Sequence, residues 1–446
     1  MSDPGFSFSQ DRLRDIATEV LDHARLHGAS ACETDVSEGF GQTATVRKGE
    51  VDTIEYHRDK GVGVTVYLGQ RRGHASTSDF SSQALRATVD AALSIARFTA
   101  PDPCAGLAEA DRFAREIPDL DLHHPWALSV DEAIGLAREC EEAAFAASPE
   151  ITNSEGASVS SHESHFVSAN SAGFLGGYAS SRHGISCSVI AGTADTMQRE
   201  YWYDSRRKAS DLLAADAIGA IAGRRAAARL GARKVGTCEV PVLFEAPVAL
   251  SLLGNFVHAV SGGSLYRRSS FLLDSLGQQV FSPFINILER PHVPNTFGAS
   301  PFDGDGVATH DRDIVTNGIL QGYFLSTYSA RKLGMSTTGN AGGAHRLIVQ
   351  SGEHDLAGLV RSMRRGLLVT ELLGQGVNYV TGDYSRGAAG FWVENGEIQH
   401  PVEEVTIAGN LRDMFRGIEA VGTDALPRSA KQCGSILIGR MTVAGN

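Results

Sequence analysis

The sequence holds no Cys-x-x-Cys pair, no apolar run long enough to cross a bilayer, no sustained basic stretch and few aromatics, 7%. Its six cysteines (Cys32, Cys104, Cys140, Cys187, Cys238 and Cys433) lie far apart. That spread argues against a zinc ribbon or a disulfide framework and fits a reducing cytoplasm, the expected location. A membrane-spanning helix needs roughly 18 consecutive apolar residues; no segment approaches this, so no membrane partner is expected. Met1–Gln10 has neither a basic nor an apolar leader region, which predicts no signal peptide. The densest basic clusters, Arg206-Arg207-Lys208 and Arg364-Arg365, are short, and the net charge is −12. A nucleic-acid binder normally shows a basic face or stripe, so nucleic acid is not an expected partner.

What is present is ample core material. The 446 residues are 42% hydrophobic, and 49 glycines point to many turns and hairpins. A length of about 150 residues per domain gives two or three domains. Leu13, Ile16, Ala17, Val20, Leu21 and Ala24 form an i, i+3, i+4, i+7 stripe ended by Gly28, which predicts a helix over 11–27. Strand-like runs follow at 43–47, 51–56, 63–68 and 72–77, then a helix over 81–98. Ser129-x-x-Glu132 is a capping box that starts a third helix. Alternating runs fill 154–203, and an Ala-rich helix occupies 210–230. Composition shifts at Arg233–Gly236, which divides the chain into a layered α+β N-terminal domain, 1–235, and a β-rich, hairpin- and barrel-like C-terminal domain, 236–446. Helices are expected there at 247–260 and 354–373. Asn317-Gly318 and Asn395-Gly396 sit between apolar alternations and predict type I′ hairpins.

Candidate chemistry is sparse. A hydrolytic zinc site needs His ligands on one helix face and a Glu to take a proton from metal-bound water. No His-Glu pair is followed by a second His four or five positions after the first; the helical segment 250–258 holds only His258. His162-Glu163-Ser164-His165 lies in an alternating segment where i and i+3 face opposite ways, so it is read as solvent-facing strand. His123-His124-Pro125 is read as a loop, and Asp303-Gly304-Asp305-Gly306 as a polar turn without EF-hand spacing. Ser261–Ser264 and Asn340–Ala344 are glycine-rich but lack a P-loop ending; one reading is a strand edge that accepts an extended peptide. Cys433 precedes the apolar run Ile436-Leu437-Ile438 and has no base adjacent in sequence.

Several segments together resemble the TldD/PmbA peptidase family: Arg47–Val51, Gly61–Val64, Arg72–Ser78, Tyr266–Gly277, Ser329–Gly334, Thr338–Asn340 and Gly382–Phe391. The matching segments run from near residue 40 to the end. The resemblance implies a zinc-dependent peptidase of two subunits that cleaves unfolded or extended peptides, with roles in peptide maturation and antitoxin turnover. TldD-like members carry His-Glu-x-x-x-His and a C-terminal Cys ligand; PmbA-like members pair with them. Counting back from Ser269-Ser270 sets that motif against Leu253–His258, where Leu253 and Gly254 replace the first His and the Glu. Only His258 and Cys433 match the ligand positions, which implies the PmbA branch. The resemblance therefore implies no metal or cofactor in this chain, zinc in a TldD-like partner, and a heterodimer with that partner or a homodimer. Arg331, Gly339, Asn340, Gly342 and Gly343 are the expected peptide contacts. Rival readings are a stand-alone peptide-binding adaptor and a hydrolase using Cys433 with His258.

Overall fold

The structure, a computed structural model, describes residues 5–445. The part of the leader reading that falls on residues 1–4 lies outside them. In the N-terminal half the elements are α1 (Gln10–Leu26), β1 (Ala31–Arg47), β2 (Glu50–Leu68), β3 (Arg71–Thr77) and α2 (Ser82–Phe98). They continue with α3 (Val130–Ala146), β4 (Ile151–Asn170), β5 (Leu175–Gly176), β6 (Ala179–Ala191), β7 (Gln198–Arg206) and α4 (Ala215–Ala228). The strands form one antiparallel sheet in the order β3-β2-β1-β4-β6-β7, with β5 added to β4. Where short separate strands are expected, β1 and β2 run 17 and 19 residues as one long ladder.

Two helix pairs cover one face of this sheet. The α1 stripe packs with α2 over β1–β3, and α3 packs with α4 over β4 and β6. Ser129 and Glu132 cap α3 reciprocally, as the spacing predicts. Close approach sets glycine positions: a Cβ on Gly73 would lie 2.0 Å from Ala92 O, and one on Gly219 would lie 1.8 Å from Cys140 O. Only glycine lets β3 meet α2, and α4 meet α3, at these distances.

The C-terminal half contains β8 (Cys238–Phe244), α5 (Ala246–Ala259), α6 (Gly262–Tyr266), β9 (Ile287–Glu289), β10 (Arg312–Thr316), β11 (Ile319–Leu320), α7 (Thr327–Leu333) and β12 (Leu347–Val349). It ends with α8 (Leu356–Ser362), β13 (Arg365–Leu373), β14 (Asp383–Glu394), β15 (Glu397–Asn410), α9 (Leu411–Arg416), β16 (Ile418–Val421), β17 (Lys431–Gln432) and β18 (Ile436–Ala444). Strands β15-β14-β13-β8-β18 close into a five-stranded barrel because β15 also pairs with β18. A second sheet runs β11-β10-β9-β12-β17. Both Asn-Gly hairpins form with positive φ at each turn residue, 50° and 75° at 317–318, 52° and 79° at 395–396. The helix expected over 354–373 is a correction: helix ends at Ser362, and Arg365–Leu373 is a barrel strand paired in parallel with β8. Its leucine-rich composition favours helix locally, and the ladder to β8 and β14 overrides it. No helix among the described residues is long and apolar enough to cross a membrane.

Candidate functional site

Helix α5 leaves the barrel directly after β8, with Pro247 in its first turn. Leu253 is 4% exposed and, with Leu252, Phe281, Ile287, Phe415 and Ile436, lines an apolar cavity of about 20 Å³. An imidazole there would have no polar partner, and a buried unpaired polar group is costly. At Gly254 a Cβ would meet nothing within 4 Å, so space for a larger side chain exists but the carboxylate does not. Four residues on, His258 stacks on Tyr379 with ring centroids 3.9 Å apart. Burial, then the Arg267 charge, lowers its pKa, so the neutral ring is favoured. Tyr379 donates to Asn255 Oδ1 at 2.9 Å. Asn255 Nδ2 is buried without a partner.

Cys433 belongs to the same core and is 1% exposed. Its S–H donates to Gly434 O at 3.2 Å. Burial, then Asp424, pushes the thiol up to about 12. A thiolate is the nucleophile and the metal ligand, and this environment disfavours it. Ser435 accepts from Ala246 N at 3.0 Å and donates to Asp424 at 2.6 Å, tying the Cys433 segment to the start of α5. The structure thus gathers Leu253, His258 and Cys433 around α5, but among the described residues no imidazole bonds the thiol. These residues do not fit a catalytic zinc, which needs three protein ligands and an activated water.

The expected peptide-contact residues divide. Arg331 Nη atoms donate to Leu107 O and Glu109, each at 2.7 Å, and to Cys104 O and Gly106 O at longer range. With Lys332–Asp102 at 3.0 Å and Tyr328–Asp102 at 2.7 Å, Arg331 fastens α7 to the N-terminal half. Asn340 is buried; it donates to Glu289 at 2.9 Å and accepts from Arg312 at 2.7 Å. Gly339, Gly342 and Gly343 have positive φ, and a Cβ on either of the last two would meet nothing within 4 Å.

Gly342 and Gly343 line a 230 Å³ groove between the two halves. Asp35, Ser168, Tyr178, Phe302, Asp303 and His345 are also on its wall. Asp303 is buried, and desolvation, then Asp305, raises its carboxyl to about 7 although Ala341, Val307 and Asp305 N–H groups donate to it. Desolvation likewise raises Glu33 on β1 to about 7, against a hydrogen bond from Tyr67. The polar turn at 303–306 thus places a buried Asp303 and an exposed Gly304 on the wall of this groove.

The strongest polar network was missed in sequence. Glu163 and His165 are not solvent-facing: they are buried on the face of β4 opposite His162. His123, in the expected loop, meets Glu163 at 2.8 Å. His165 Nε2 lies 3.4 Å from Glu38, without a hydrogen bond directed at it, and its ring stacks on Phe6 at 3.9 Å. Burial lowers the His165 pKa, and Glu38 only partly opposes this. Burial pushes Glu38 up, but donation from the Ser7 and Phe8 N–H groups outweighs it and holds the carboxyl below its usual range. The available signal was alternation: Glu163 and His165 are two apart and share a face.

Three adjoining segments match the PmbA/TldA metallopeptidase family: its domain 1 at residues 32–96, its central domain at 123–230 and its C-terminal domain at 237–445. The chain is 49% identical to the metalloprotease PmbA of Escherichia coli O157:H7 over 94% of this chain and 93% of that one. It is 47% identical to a metalloprotease PmbA homolog of Haemophilus influenzae, covering 98% and 97%. A Bacteroides thetaiotaomicron protein described as a candidate modulator of DNA gyrase superposes with a TM-score of 0.93 at 27% identity, over 98% of this chain and all of that one. TldE from Thermococcus kodakarensis shares the fold, with a TM-score of 0.81 at 18% identity over 96% of this chain and all of that one. With those segments covering most of the chain and PmbA relatives 49% and 47% identical over nearly all of it, the chain belongs to the PmbA/TldA metallopeptidase family, in its PmbA branch.

Proposed function

We propose that this chain is the subunit without a catalytic metal in a cytoplasmic, zinc-dependent peptidase. Its partner is a TldD-like subunit that supplies the metal, and the substrates are unfolded or extended peptides. The observation that carries the reading is α5: Leu253 is packed into the apolar core, Gly254 supplies no base, and the Cys433 thiol is held protonated. The chain's own work is positional. Its halves, taken as units at 1–235 and 236–446, wall a shared space, and the 230 Å³ groove with its open Gly342-Gly343 backbone receives part of an extended peptide. The absence of side chains at Gly342 and Gly343 lets a peptide in extended form lie close against this wall.

The association with a second subunit is supported by β2. Beyond β3, residues 50–60 pair with β1 alone and are exposed throughout, Ile54, Tyr56 and Val51 included. An edge of that kind is a template for contact with another chain. The test is to purify the chain alone, the TldD-like chain alone and the pair, then measure hydrolysis of an unfolded peptide. Activity confined to the pair is expected. Hydrolysis by this chain alone overturns the reading, and inactivation of that hydrolysis by a mild thiol reagent would assign it to Cys433.

A further inference from the structure

We propose that His23, His27 and Asp90 form a binding site for a divalent transition metal, unconnected with α5 of the barrel half. His23 is in the last turn of α1, His27 is the residue that caps it, and Asp90 is on α2. One ligand atom from each lies within 4.8 Å of the others. His23 Nε2 is 3.2 Å from Asp90 Oδ1, and the two imidazole centroids are 3.9 Å apart. Two imidazoles and one carboxylate, with solvent completing the shell, suit zinc, nickel or copper better than calcium or magnesium.

Two independent features point to a metal rather than to a stray cluster. His27 Nδ1 lies 2.9 Å from His23 O. A ring that donates Nδ1–H to a backbone carbonyl keeps its Nε2 lone pair free, which is how metal-binding histidines are oriented. The site also sits at the end of α1, where His27 is the C-cap, and the helix dipole is negative there. The neighbouring cations are engaged elsewhere: Arg25 with Asp22 at 3.0 Å and Arg86 with Glu19 at 3.8 Å. A bound ion would join α1 to α2, the two helices that cover β1–β3.

The test is calorimetric titration of the chelator-treated full chain with Zn²⁺ alone. One site is expected, with His27→Ala weakening it by at least about tenfold and His23→Ala/His27→Ala abolishing it. Both residues are at the surface layer, so folding is checked by circular dichroism. A zinc-dependent rise in Tm in the wild type, absent in the double variant, is a second readout. The other imidazole pair, His57 and His162 at 2.9 Å, serves as control, and His57→Ala/His162→Ala is expected to change nothing. Binding that survives His23→Ala/His27→Ala, or that is lost with His57 and His162, overturns the inference. Binding lost instead with His258→Ala or Cys433→Ser would place the ion at α5 and overturn the functional reading as well, so the two failures are distinguishable.

Discussion

Helix α5 in the barrel half and strand β4 in the sheet half are buried in opposite ways. In the barrel half, helix α5 is packed as core, with Leu253 against Phe281 and Phe415 and a protonated Cys433 nearby. In the sheet half, carboxylates and imidazoles meet at β4: Glu38 with His165, and Glu163 with His123. The barrel is closed, while the sheet leaves the 50–60 edge of β2 bare. The difference teaches that Leu253 is held by apolar packing, whereas the buried face of β4 is held by paired polar groups.

Substitutions can break this contrast, and the largest effect is expected in the barrel. Leu253→Ala should cost about 2–5 kcal/mol, measured by urea unfolding, because a buried leucine is exchanged for a void. A loss under about 1 kcal/mol would show that α5 is loosely packed and the contrast is false. In the sheet half, Glu38→Ala should cost about 1–3 kcal/mol, since the Ser7 and Phe8 N–H groups lose their acceptor. It should also free the segment at 5–8, which faster amide exchange there would report.

A smaller effect, in pH rather than sequence, comes from two desolvated carboxyls, Asp303 in the groove and Glu33 on β1. Glu33 and Asp303 have folded pKa values raised to about 7 from 4.5 and 3.8. Between those limits the folded chain holds protons that the unfolded chain has released, so stability falls as pH rises from about 4 to 7 and levels off above. Glu33→Gln should shallow that slope, read from Tm against pH; an unchanged slope would remove Glu33 from the account. The smallest stability effect is expected at the bare edge. Ile54→Asp should stay within about 0.5 kcal/mol. It should nevertheless weaken co-purification with a TldD-like partner, while retained association would move the interface elsewhere.

Much of the fold was legible because its signals are local. The α1 stripe, the Ser129–Glu132 box and both Asn-Gly hairpins depend on residues within a few positions of each other. Strand β13 was hidden because Leu367, Leu368, Leu372 and Leu373 are good helix formers, and only the distant β8 and β14 make them a strand. The α5 site was visible as two missing residues, Leu253 and Gly254, against a resemblance. The groove was not, since Asp35 and Asp303 meet only in three dimensions. Glu163 and His165 were assigned to the wrong environment because alternation tells which side chains share a face and not what covers it. Here Phe6, from the start of the chain, supplies part of the cover.

Peptide hydrolysis by the isolated chain, saturated with zinc and compared with the chain mixed with a TldD-like partner, tests the central claim most directly. The account predicts no hydrolysis above buffer by the isolated chain, whatever zinc it binds at His23 and His27, and hydrolysis on adding the partner. Zinc-dependent hydrolysis by the isolated chain that persists in His23→Ala/His27→Ala would contradict it, because the barrel half would then hold a working metal where Leu253 and Gly254 stand.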